Sequence, residues 1–528
     1  MTDFSIVLIH PPVAKPSEPP AGLTVLAGAL KAHGIRYKAI DANVRGVTAL
    51  LHAVPKPQDT WGRRAYRHLD DNLISLRTPQ TYCSIDRYKR AVSDINRLLT
   101  TVGKAQGIGI SLADYNERHR TAVRSIDLAE AARSPETNPF SDYFHDTLIP
   151  EIADFHPKAV GLSINFLSQG ICAFALIGLL RRKLPEVEII IGGGLVTSWL
   201  QYPKMNSAIA GWVDRMIAGP GETPLLEMAG VTVTKEHTLP DVAPFFNEPY
   251  LSPGRVLSYS ASRGCWWRRC AFCPERAEQQ PYRPIPKTTA ATQLQALTRQ
   301  YQPALIHLLD NAVSPALLKT LAQNPPGAPW YGFARIGAPL DAPAFCRQLA
   351  ISGCIMLKLG LESGDQNVLN ALEKGIRLEI AETVLHNLYD VGIATYVYLL
   401  FGTPAEDENA ARRTMQFVAD HHKTVGYLNT AIFNLPVQSP EAESLTLRSF
   451  YEGDMALYTD FIHPLGWTRS NVRRFVEKEF KRHPAIRPIV LRDPPIFTSN
   501  HAAFFHTQAR FFNSRRQLGT ATRHPQHL

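Results

Sequence analysis

Ser262-Arg-Gly-Cys265-Trp-Trp-Arg-Arg-Cys270-Ala-Phe-Cys273-Pro-Glu275 is the stretch that decides how this chain of 528 residues is interpreted. It places three of the seven cysteines within nine residues, at the spacing C-x4-C-x2-C. Iron–sulfur clusters are held by cysteine thiolates. Three thiolates on one short loop can bind three irons of a cubane and leave the fourth iron open to a small molecule. We therefore predict a 4Fe-4S cluster on Cys265, Cys270 and Cys273.

Two other interpretations of this loop stay open. A structural zinc site would need a fourth protein ligand, and the next histidine, His307, lies on a predicted strand. Unliganded core cysteines are the other alternative, although three within nine residues beside Arg and Trp make a poor core pattern. The remaining cysteines are scattered along the chain: Cys83, Cys172, Cys346 and Cys354. No disulfide framework is expected, as is typical of a reducing compartment.

The cysteine loop follows the first of six predicted strands that alternate with helical stretches. These strands are Val256–Ala261, Leu305–Leu309, Trp330–Arg335, Ile355–Leu361, Thr395–Phe401 and Leu428–Leu435. The alternation predicts a partial (β/α)6 TIM-type barrel over residues 251–440. Active sites of such barrels gather at the C-terminal ends of the strands.

Residues 1–250 show an earlier strand-helix series with glycines at strand ends. Its predicted strands are Phe4–Ile9, Tyr37–Ile40, Ala159–Ile164, Val187–Ile191 and Arg215–Ala218. This pattern favours an α/β, doubly wound Rossmann-like domain. Residues 45–150 interrupt the series, are polar and partly helical, and are interpreted as an insertion. Residues 441–528 form a small C-terminal region with a basic tail, whose last 15 residues are predicted to be disordered.

Composition indicates a globular, cytoplasmic protein. Hydrophobic residues make up 45% of the chain and charged residues 20%, and no apolar run is long enough to span a membrane. The apolar run near the N-terminus follows the acidic Asp3 and is too short for a signal peptide. Much of the net charge of +9 follows Arg473, which indicates a solvated basic tail more than a nucleic-acid surface. A non-catalytic, metal-dependent RNA-binding protein remains an alternative class.

The cysteine loop resembles the radical S-adenosylmethionine (SAM) superfamily, whose usual spacing is C-x3-C-x2-C with an aromatic residue before the third cysteine. Phe272 matches that aromatic residue, and the resemblance implies that it lies near the adenine of SAM. The additional residue between Cys265 and Cys270 departs from the usual spacing. The Gly-Cys-Trp-Trp form looks like a variant found in members with cobalamin-type N-terminal domains. The resemblance covers about residues 1–44 and 150–440.

The resemblance implies further SAM contacts at the ends of the barrel strands. Glu362 and Ser363 lie in a Leu-Gly-Leu-Glu-Ser-Gly segment that resembles the one carrying a carboxylate to the SAM ribose, the role implied for Glu362. A carboxylate that stabilises a helix N-terminus is the alternative for Glu362. Gly402 belongs to a Gly-x-Pro-x-Glu turn that the family places near the adenine. Asp310 ends the second strand, where the family makes backbone contacts to the methionine amino group. Arg335 is implied to meet the methionine carboxylate or the substrate, with a surface salt bridge as its alternative.

The N-terminal domain resembles a cobalamin-binding domain. Ser163 ends one predicted strand, and Gly192 and Gly193 end the next at the expected spacing. Gly219-Pro-Gly-Glu222 resembles the turn that closes such domains, and glycines let the backbone approach a bulky ligand. The loop that begins at His10 lacks Asp-x-His-x-x-Gly, so a bound cobalamin is implied to be base-off and His-off. A sheet that kept this fold and lost the corrin is the alternative.

The resemblance implies that SAM is reductively cleaved at the cluster to a 5′-deoxyadenosyl radical, with electrons from a donor such as flavodoxin or ferredoxin. The radical would modify a small-molecule or peptide substrate, and with cobalamin present the expected reaction is C-methylation. A cobalamin-free radical SAM enzyme that modifies a peptide or natural product is the main alternative. A tRNA methylthiotransferase is disfavoured because only Cys83 and Cys172 precede the cysteine loop.

Overall fold

Two parallel sheets organise the computed structural model, which describes residues 4–201, 207–233, 236–449, 453–495 and 502–504. The predicted disorder of the last 15 residues lies outside these described residues. Among them, no helix has both the length and the apolar character needed to cross a membrane.

The first sheet contains five of the seven strands in the N-terminal half. These seven are β1 Ser5–His10, β2 Arg36–Asp41, β3 Ile108–Ile110, β4 Tyr115–Glu117, β5 Ala159–Ser163, β6 Glu188–Gly192 and β7 Arg215–Met216. Five of them pair in parallel in the order β2-β1-β5-β6-β7. In this doubly wound order, ligands bind at the C-terminal ends of the strands where the order reverses. That switch point lies between β1 and β5.

Helices cover the first sheet. They are α1 Ala21–Ala32, α2 Ala42–His52, α3 Thr60–Arg67, α4 Leu69–Leu76, α5 Ile85–Gly103, α6 Ser125–Arg133, α7 Ser141–Tyr143, α8 Ile149–Phe155, α9 Leu167–Lys183, α10 Gly194–Leu200 and α11 Glu222–Met228. Every residue of β1 is buried, because a parallel strand is covered on both faces. α9 is buried over most of its length, which matches its nearly uninterrupted apolar sequence.

The predicted insertion is integrated into the N-terminal core. It contains α3 to α6 and the antiparallel pair of β3 and β4. Its Tyr82, Tyr88 and Leu98 are buried in the same apolar cluster as β1 and β5. Tyr88 also donates a hydrogen bond to the Pro495 carbonyl at 3.2 Å. The apolar faces of these helices pack against the sheet layer and the C-terminal region.

The second sheet is an open, six-stranded parallel barrel wall. The strands of this half are β8 Val256–Tyr259, β9 Ser262–Arg263, β10 Arg283–Pro284, β11 Leu305–Leu308, β12 Trp330–Ala334, β13 Cys354–Glu362, β14 Ala394–Phe401 and β15 Tyr427–Ile432. Six of them form the order β15-β14-β13-β12-β11-β8, with every pair parallel. This confirms the predicted α/β class and the barrel series.

Helices alternate with the barrel strands and cover the outer face. They are α12 Pro274–Ala277, α13 Lys287–Tyr301, α14 Pro315–Gln323, α15 Pro343–Ile351, α16 Gln366–Ala371, α17 Leu378–Asp390 and α18 Glu408–Asp420. Alternate strand residues such as Leu357 and Leu359 pack against these helices. Lys358, between them, therefore points to the inner face of the barrel.

A small C-terminal region closes one end of the barrel. It contains β16 Leu435–Pro436, β17 Leu447–Arg448, β18 Tyr458–Phe461, α19 Glu441–Ser444, α20 Arg469–Lys478 and α21 Arg487–Arg492. The last predicted barrel strand is divided here: β15 ends at Ile432, and Leu435 pairs antiparallel with β18. The apolar sequence continues across both pieces, so sequence alone did not separate them.

Candidate functional site

The cysteine loop leaves the barrel at the C-terminal end of β8, and Asp310 anchors it. Asp310 Oδ2 accepts a hydrogen bond from the Ala261 N–H at 3.0 Å, and Oδ1 accepts one from the Ser262 hydroxyl. Gly264 has a φ of 69°, and a Cβ there would lie 2.6 Å from the Pro281 carbonyl oxygen. The loop path therefore requires glycine just before the first cysteine. The Asp310 carboxylate positions the loop, and its backbone contact with SAM stays a prediction.

The three thiols of the loop share a partly buried, cationic environment. Burial raises the pKa of Cys270, whereas the charges of Lys374 and Arg335 lower it. Burial also raises the pKa of Cys273 to about 11, and the charges of Cys270 and Cys265 act in the same direction. The thiols therefore interact with one another, although within the described ranges no three His, Cys, Asp or Glu side chains already form a metal-binding group. Arg335 and Lys374 beside Cys270 act against burial and favour its thiolate, the form that iron–sulfur ligation needs.

Arg335, at the end of β12, is directed into the cysteine loop. Its guanidinium lies 3.9 Å from the centre of the Trp267 ring, and Nη1 lies 3.9 Å from Cys270 Sγ. It also donates a hydrogen bond to the Lys374 carbonyl oxygen. A Cβ at Gly375 would lie 2.3 Å from the Trp267 ring, so this glycine makes room for the indole. The structure places Arg335 against the loop and not in a surface salt bridge.

Glu362 lies at the C-terminal end of β13 in an unusual backbone conformation. Its φ is 69°, and the pairing with β14 is irregular between Gly360 and Glu362. Its carboxylate accepts a hydrogen bond from Lys374 Nζ at 2.8 Å, and the two side chains are only 12% and 8% exposed. The cap of α16 is Asp365. Glu362 therefore does not cap α16, and its contact with the SAM ribose stays a prediction.

The remaining residues predicted to contact SAM occupy different environments. Phe272 packs between α16 and the end of the last barrel strand, with Lys374 Nζ 5.4 Å from its ring centre. Gly402 has a φ of 79°, and its N–H donates to the Glu406 carboxylate in the turn after β14. Ser363 is fully buried, and its hydroxyl lies 3.1 Å from that of a threonine of α18. The structure thus brings Phe272 beside Lys374 and turns the Ser363 side chain into the core.

The C-terminal ends of the barrel strands, which carry the cysteine loop, form one edge of the candidate site. The C-terminal ends of β5 and β6 form a second edge. Asn165 Nδ2 donates to Ser163 Oγ at 3.1 Å, and its Oδ1 accepts from the amide that follows the two glycines at 3.0 Å. Gly193 has a φ of 104°, and a Cβ there would lie 2.6 Å from the Ile164 carbonyl oxygen. A Cβ at Gly192 would have ordinary space. The approach of the chain's own loops therefore already requires glycine at position 193, and the approach of a bulky ligand there stays a prediction.

His10, the last residue of β1, is held within this edge. Its two ring nitrogens lie 3.4 and 3.5 Å from Gln169 Nε2, which also donates to the Pro11 carbonyl at 2.7 Å. Burial lowers the pKa of His10, and the charge of Asp41 opposes that effect. The imidazole is therefore packed in the sheet edge, and its predicted lack of an axial role stays a prediction.

The two edges face each other across a cavity of about 270 Å³. Its lining comes from α10 after the two glycines, from the segment after Cys273, and from β16 and β18 with their flanking residues. Glu222 of the closing turn forms an ion pair with Arg263 in β9, and Ser198 Oγ donates to Glu278 Oε1 at 2.6 Å. The segment that follows Gly193 in the first domain and the segment that follows Cys273 in the barrel therefore line one space.

Sequence reasoning missed two features of the site. Lys374 was not predicted as a site residue, yet it contacts Glu362 and the ring of Phe272. A buried pair of His307 and Lys358 inside the barrel was also missed, although lysine in an apolar strand was a usable signal. His307 binds Lys358 Nζ at 3.0 Å and faces the barrel interior, so the structure does not direct it to the cysteine thiols as a zinc ligand.

Comparison with solved structures identifies proteins of the same fold. The radical S-adenosylmethionine methyltransferase TsrM from Kitasatospora setae, with tryptophan substrate and a SAM analogue bound, matches with a TM-score of 0.57 at 14% identity, over 98% of this chain and 100% of that chain. Its structure with cobalamin and a 4Fe-4S cluster matches with a TM-score of 0.51 at 15% identity, over 85% and 78% of the two chains. The cobalamin-dependent S-adenosylmethionine radical enzyme OxsB, with aqua-cobalamin bound, gives 0.56 at 12% identity, over 87% of this chain and 64% of that chain.

Sequence comparisons add no relative. No profile of a known protein family matches the chain, and no curated protein matches it. The structural likenesses establish the fold: a Rossmann-like domain followed by a partial parallel (β/α) barrel.

Proposed function

We propose that this chain, which has the two-sheet fold of cobalamin-dependent radical SAM enzymes, is itself a radical SAM enzyme that binds cobalamin and methylates carbon in a small-molecule substrate. The observation that carries the proposal is that two edges lie on opposite sides of one cavity. One edge bears Cys265, Cys270 and Cys273, followed by the cavity-lining segment that begins at Pro274. The other edge, at the ends of β5 and β6, adjoins the switch point between β1 and β5, where ligands of doubly wound sheets bind.

The cysteine loop fits a 4Fe-4S cluster through its donor chemistry. When bound, the cluster would supply the electron that cleaves SAM to methionine and a 5′-deoxyadenosyl radical. The three thiolates would hold three irons, and Asp310 would keep the loop in place through its hydrogen bonds to Ala261 and Ser262. Arg335 and Lys374 would offset part of the negative charge of the thiolates.

SAM would lie beside the loop, where charged and aromatic groups of this chain surround one region. Glu362 would accept hydrogen bonds from the ribose hydroxyls, with Lys374 fixing its carboxylate. Phe272 would contact the adenine, and the Gly402 turn would border it. These roles are supported by the proximity of Lys374 to both Glu362 and Phe272.

Cobalamin would occupy the edge of the first sheet, near Ser163, Gly192 and the Gly219–Glu222 turn. When bound, it would supply a transferable methyl group. TsrM and OxsB, whose structures contain cobalamin, support this assignment through fold. The exposed Phe166 beside Asn165 offers an apolar surface to a large organic cofactor at this edge. Glu222 would support cobalamin binding indirectly, because its ion pair with Arg263 joins this edge to the cysteine loop.

Anaerobic reconstitution tests the proposal. We expect about four irons and four sulfides per chain, because three thiolates can hold a cubane. With SAM and reduced flavodoxin or dithionite, the protein should form 5′-deoxyadenosine. Changing Cys265, Cys270 or Cys273 to Ala should abolish the iron content.

Cys346→Ala is the matched control. Cys346 is fully buried and its thiol lies 3.2 Å from the Leu340 carbonyl oxygen, away from the loop. This variant should keep its iron. Stoichiometric zinc in place of iron, or iron retained after the loop cysteines are changed, would contradict the proposal.

A further inference from the structure

A buried cation lies inside the barrel, below the cysteine loop. Lys358 is 4% exposed, and its side chain points to the inner face of β13. Its Nζ lies 3.0 Å from His307 Nε2. The rings of Tyr331 and Phe333 lie 5.1 and 4.9 Å from Nζ, measured to their centres. A buried ammonium is costly unless its donors are satisfied, so its surroundings indicate what it binds.

The lysine belongs to a hydrogen-bonded chain that crosses from the barrel to the first sheet. An ammonium only donates hydrogen bonds, so His307 Nε2 accepts from Lys358 and the ring carries its proton on Nδ1. Nδ1 lies 2.8 Å from Glu18 Oε1, in the loop after β1. Ser258 Oγ of β8 donates to the Pro19 carbonyl at 2.7 Å and holds the same loop. The loop that follows β1 therefore reaches into the barrel.

The hydrogen-bonded series of Glu18, His307 and Lys358 has donors and an acceptor that no side chain in the described ranges satisfies. Within the described part of the structure, His307 is the one hydrogen-bond partner of Lys358, so two of the three ammonium donors are available. Glu18 Oε2 is also buried with no hydrogen-bond partner among the described residues. Buried polar groups are almost always paired, so these groups indicate a polar ligand at this point.

The inner face of the barrel near Lys358 carries two partly exposed aromatic side chains. Phe333 and Tyr398 point to the inner face, because Ala334 and Val397 beside them pack outward. Both inner residues are only half-buried, although they line the interior of the barrel. Their ring centres lie 4.9 Å apart. A planar group in this lumen would contact aromatic rings on one side and Lys358 below.

The charge of the cluster favours an anion. Lys15 and Lys358 both interact with Glu18, which leaves one net positive charge when the histidine is neutral. Burial opposes the ionisation of Glu18, but the hydrogen bond from His307 and the charges of these lysines hold its pKa below the usual value. Burial also lowers the pKa of His307, which keeps that ring neutral at pH 7.

We propose that Lys358 anchors a carboxylate of the substrate, and that this substrate is a planar, aromatic small molecule held against Phe333 and Tyr398. The assignment rests on the proposed function, because it places the substrate in the lumen beside the SAM region. Lys358 is a binding residue here, and Glu18 with His307 positions its ammonium.

Calorimetric titration of the reconstituted protein with benzoate tests this assignment, with neutral benzamide as the matched probe. Benzoate should bind, and benzamide should bind at least about tenfold more weakly, as expected for a lost charged hydrogen bond. Lys358→Met should weaken benzoate binding to a similar degree. Lys319→Met, the same change on the exposed face of α14, should leave it unchanged.

Glu18→Gln separates a binding role from a purely structural one. Because the Glu18 charge raises the pKa of Lys358, Glu18→Gln should move the loss of benzoate affinity to a lower pH while binding persists at pH 6. If the cluster only joined the two sheets, Lys358→Met and Glu18→Gln would both weaken benzoate binding at every pH. Benzoate that fails to bind the wild type, or binds Lys358→Met equally well, overturns the assignment.

The pH dependence of benzoate binding by the wild type is a second measurement that needs no variant. Burial lowers the pKa of Lys358 to about 8, and the charge of Glu18 opposes that effect. The affinity for benzoate should fall about tenfold per pH unit above that value, because deprotonation converts the charged ammonium to a neutral amine. The other titratable groups near Lys358 are His307, Lys15, Tyr331 and Tyr398. Burial raises the pKa of Tyr398 far above the pH range of this titration.

A flat pH profile would overturn the assignment. Iron content and SAM cleavage are measured separately and do not depend on benzoate. A failure of the carboxylate assignment is therefore distinguishable from a failure of the radical SAM proposal.

Discussion

At the scale of single residues, Glu362 shows how a backbone irregularity creates a site. Its positive φ and the irregular pairing beside it turn the carboxylate toward Lys374 at the end of β13. A positive φ is disfavoured for a residue with a side chain, so the surrounding structure must hold it in place. Gly360 is part of that support, because a Cβ there would lie 2.5 Å from Glu362 Oε1 and 2.8 Å from Lys374 Nζ.

Glu362→Gln should weaken SAM binding by about 1.5–3 kcal/mol, because a charged acceptor to the ribose hydroxyls is lost. Equilibrium binding of SAM to the reconstituted protein measures the effect. Glu379→Gln, on the exposed first turn of α17, is the control and should bind SAM normally. Iron content should be the same in both variants. Unchanged SAM affinity in Glu362→Gln would show that the carboxylate serves only its ion pair with Lys374.

At the scale of elements, the turn after β14 is built around a buried carboxyl group. Glu406 is fully buried, and its Oε2 accepts hydrogen bonds from the Gly402 N–H and from Trp467 Nε1. Its Oε1 has no hydrogen-bond partner among the described residues. Burial raises the pKa of Glu406 to about 8, although these hydrogen bonds oppose the shift. The turn therefore holds a neutral acid at pH 7.

This neutral acid should make stability depend on pH. An unfolded glutamate titrates near 4.5, so between that pH and about 8 the folded protein binds more protons than the unfolded chain. The free energy of unfolding should therefore fall as pH rises through this window, by up to ~1.4 kcal/mol per pH unit. Glu406→Gln, which resembles the neutral acid, should remove this part of the slope.

Urea unfolding at pH 5.5, 6.5 and 7.5 measures the slope in the wild type and in Glu406→Gln. Glu408→Gln, an exposed change at the start of α18, is the control and should keep the slope of the wild type. Identical slopes in all three proteins would mean that Glu406 ionises in the fold at its ordinary pKa.

At the scale of the whole molecule, contacts between the two sheets place the candidate cofactor edges opposite each other. Arg263 pairs with Glu222, Ser198 bonds Glu278, and Glu18 reaches His307 inside the barrel. These contacts come from three separate loops at the C-terminal ends of parallel strands. Parallel strands bring such loops to one side of each sheet, and the two sides meet at the cavity.

Protein produced with ample cobalamin should co-purify with it in a base-off, His-off state. The loop after β1 has no Asp-x-His-x-x-Gly, and His10 is packed against Gln169. The absorption spectrum reports the bound corrin, and the paramagnetic Co(II) spectrum should lack splitting from an axial imidazole nitrogen. Splitting of that kind would show that a histidine reaches the cobalt. Protein that never retains cobalamin would remove the methylation part of the proposal and leave its radical SAM part.

The sequence by itself determined the two strand series, because apolar strands that alternate with helical stretches have few other ways to bury their side chains. The cysteine spacing likewise identified the loop, since three thiols within nine residues are a local pattern. The predicted strands and the observed ones agree closely except at Ile432 and Leu435, where the apolar pattern runs through a change of sheet.

Only the tertiary structure decided which distant side chains meet. Lys374 reaches Glu362, Arg335 lies over Trp267, and the reason for Gly193 is the nearby Ile164 carbonyl. The pairing of Glu18, His307 and Lys358 joins positions that are 289 and 51 residues apart in the chain. Such contacts depend on how strands are ordered and how loops cross between sheets. Local periodicity carries no information about them, because it records which face of a strand is buried and not what covers that face.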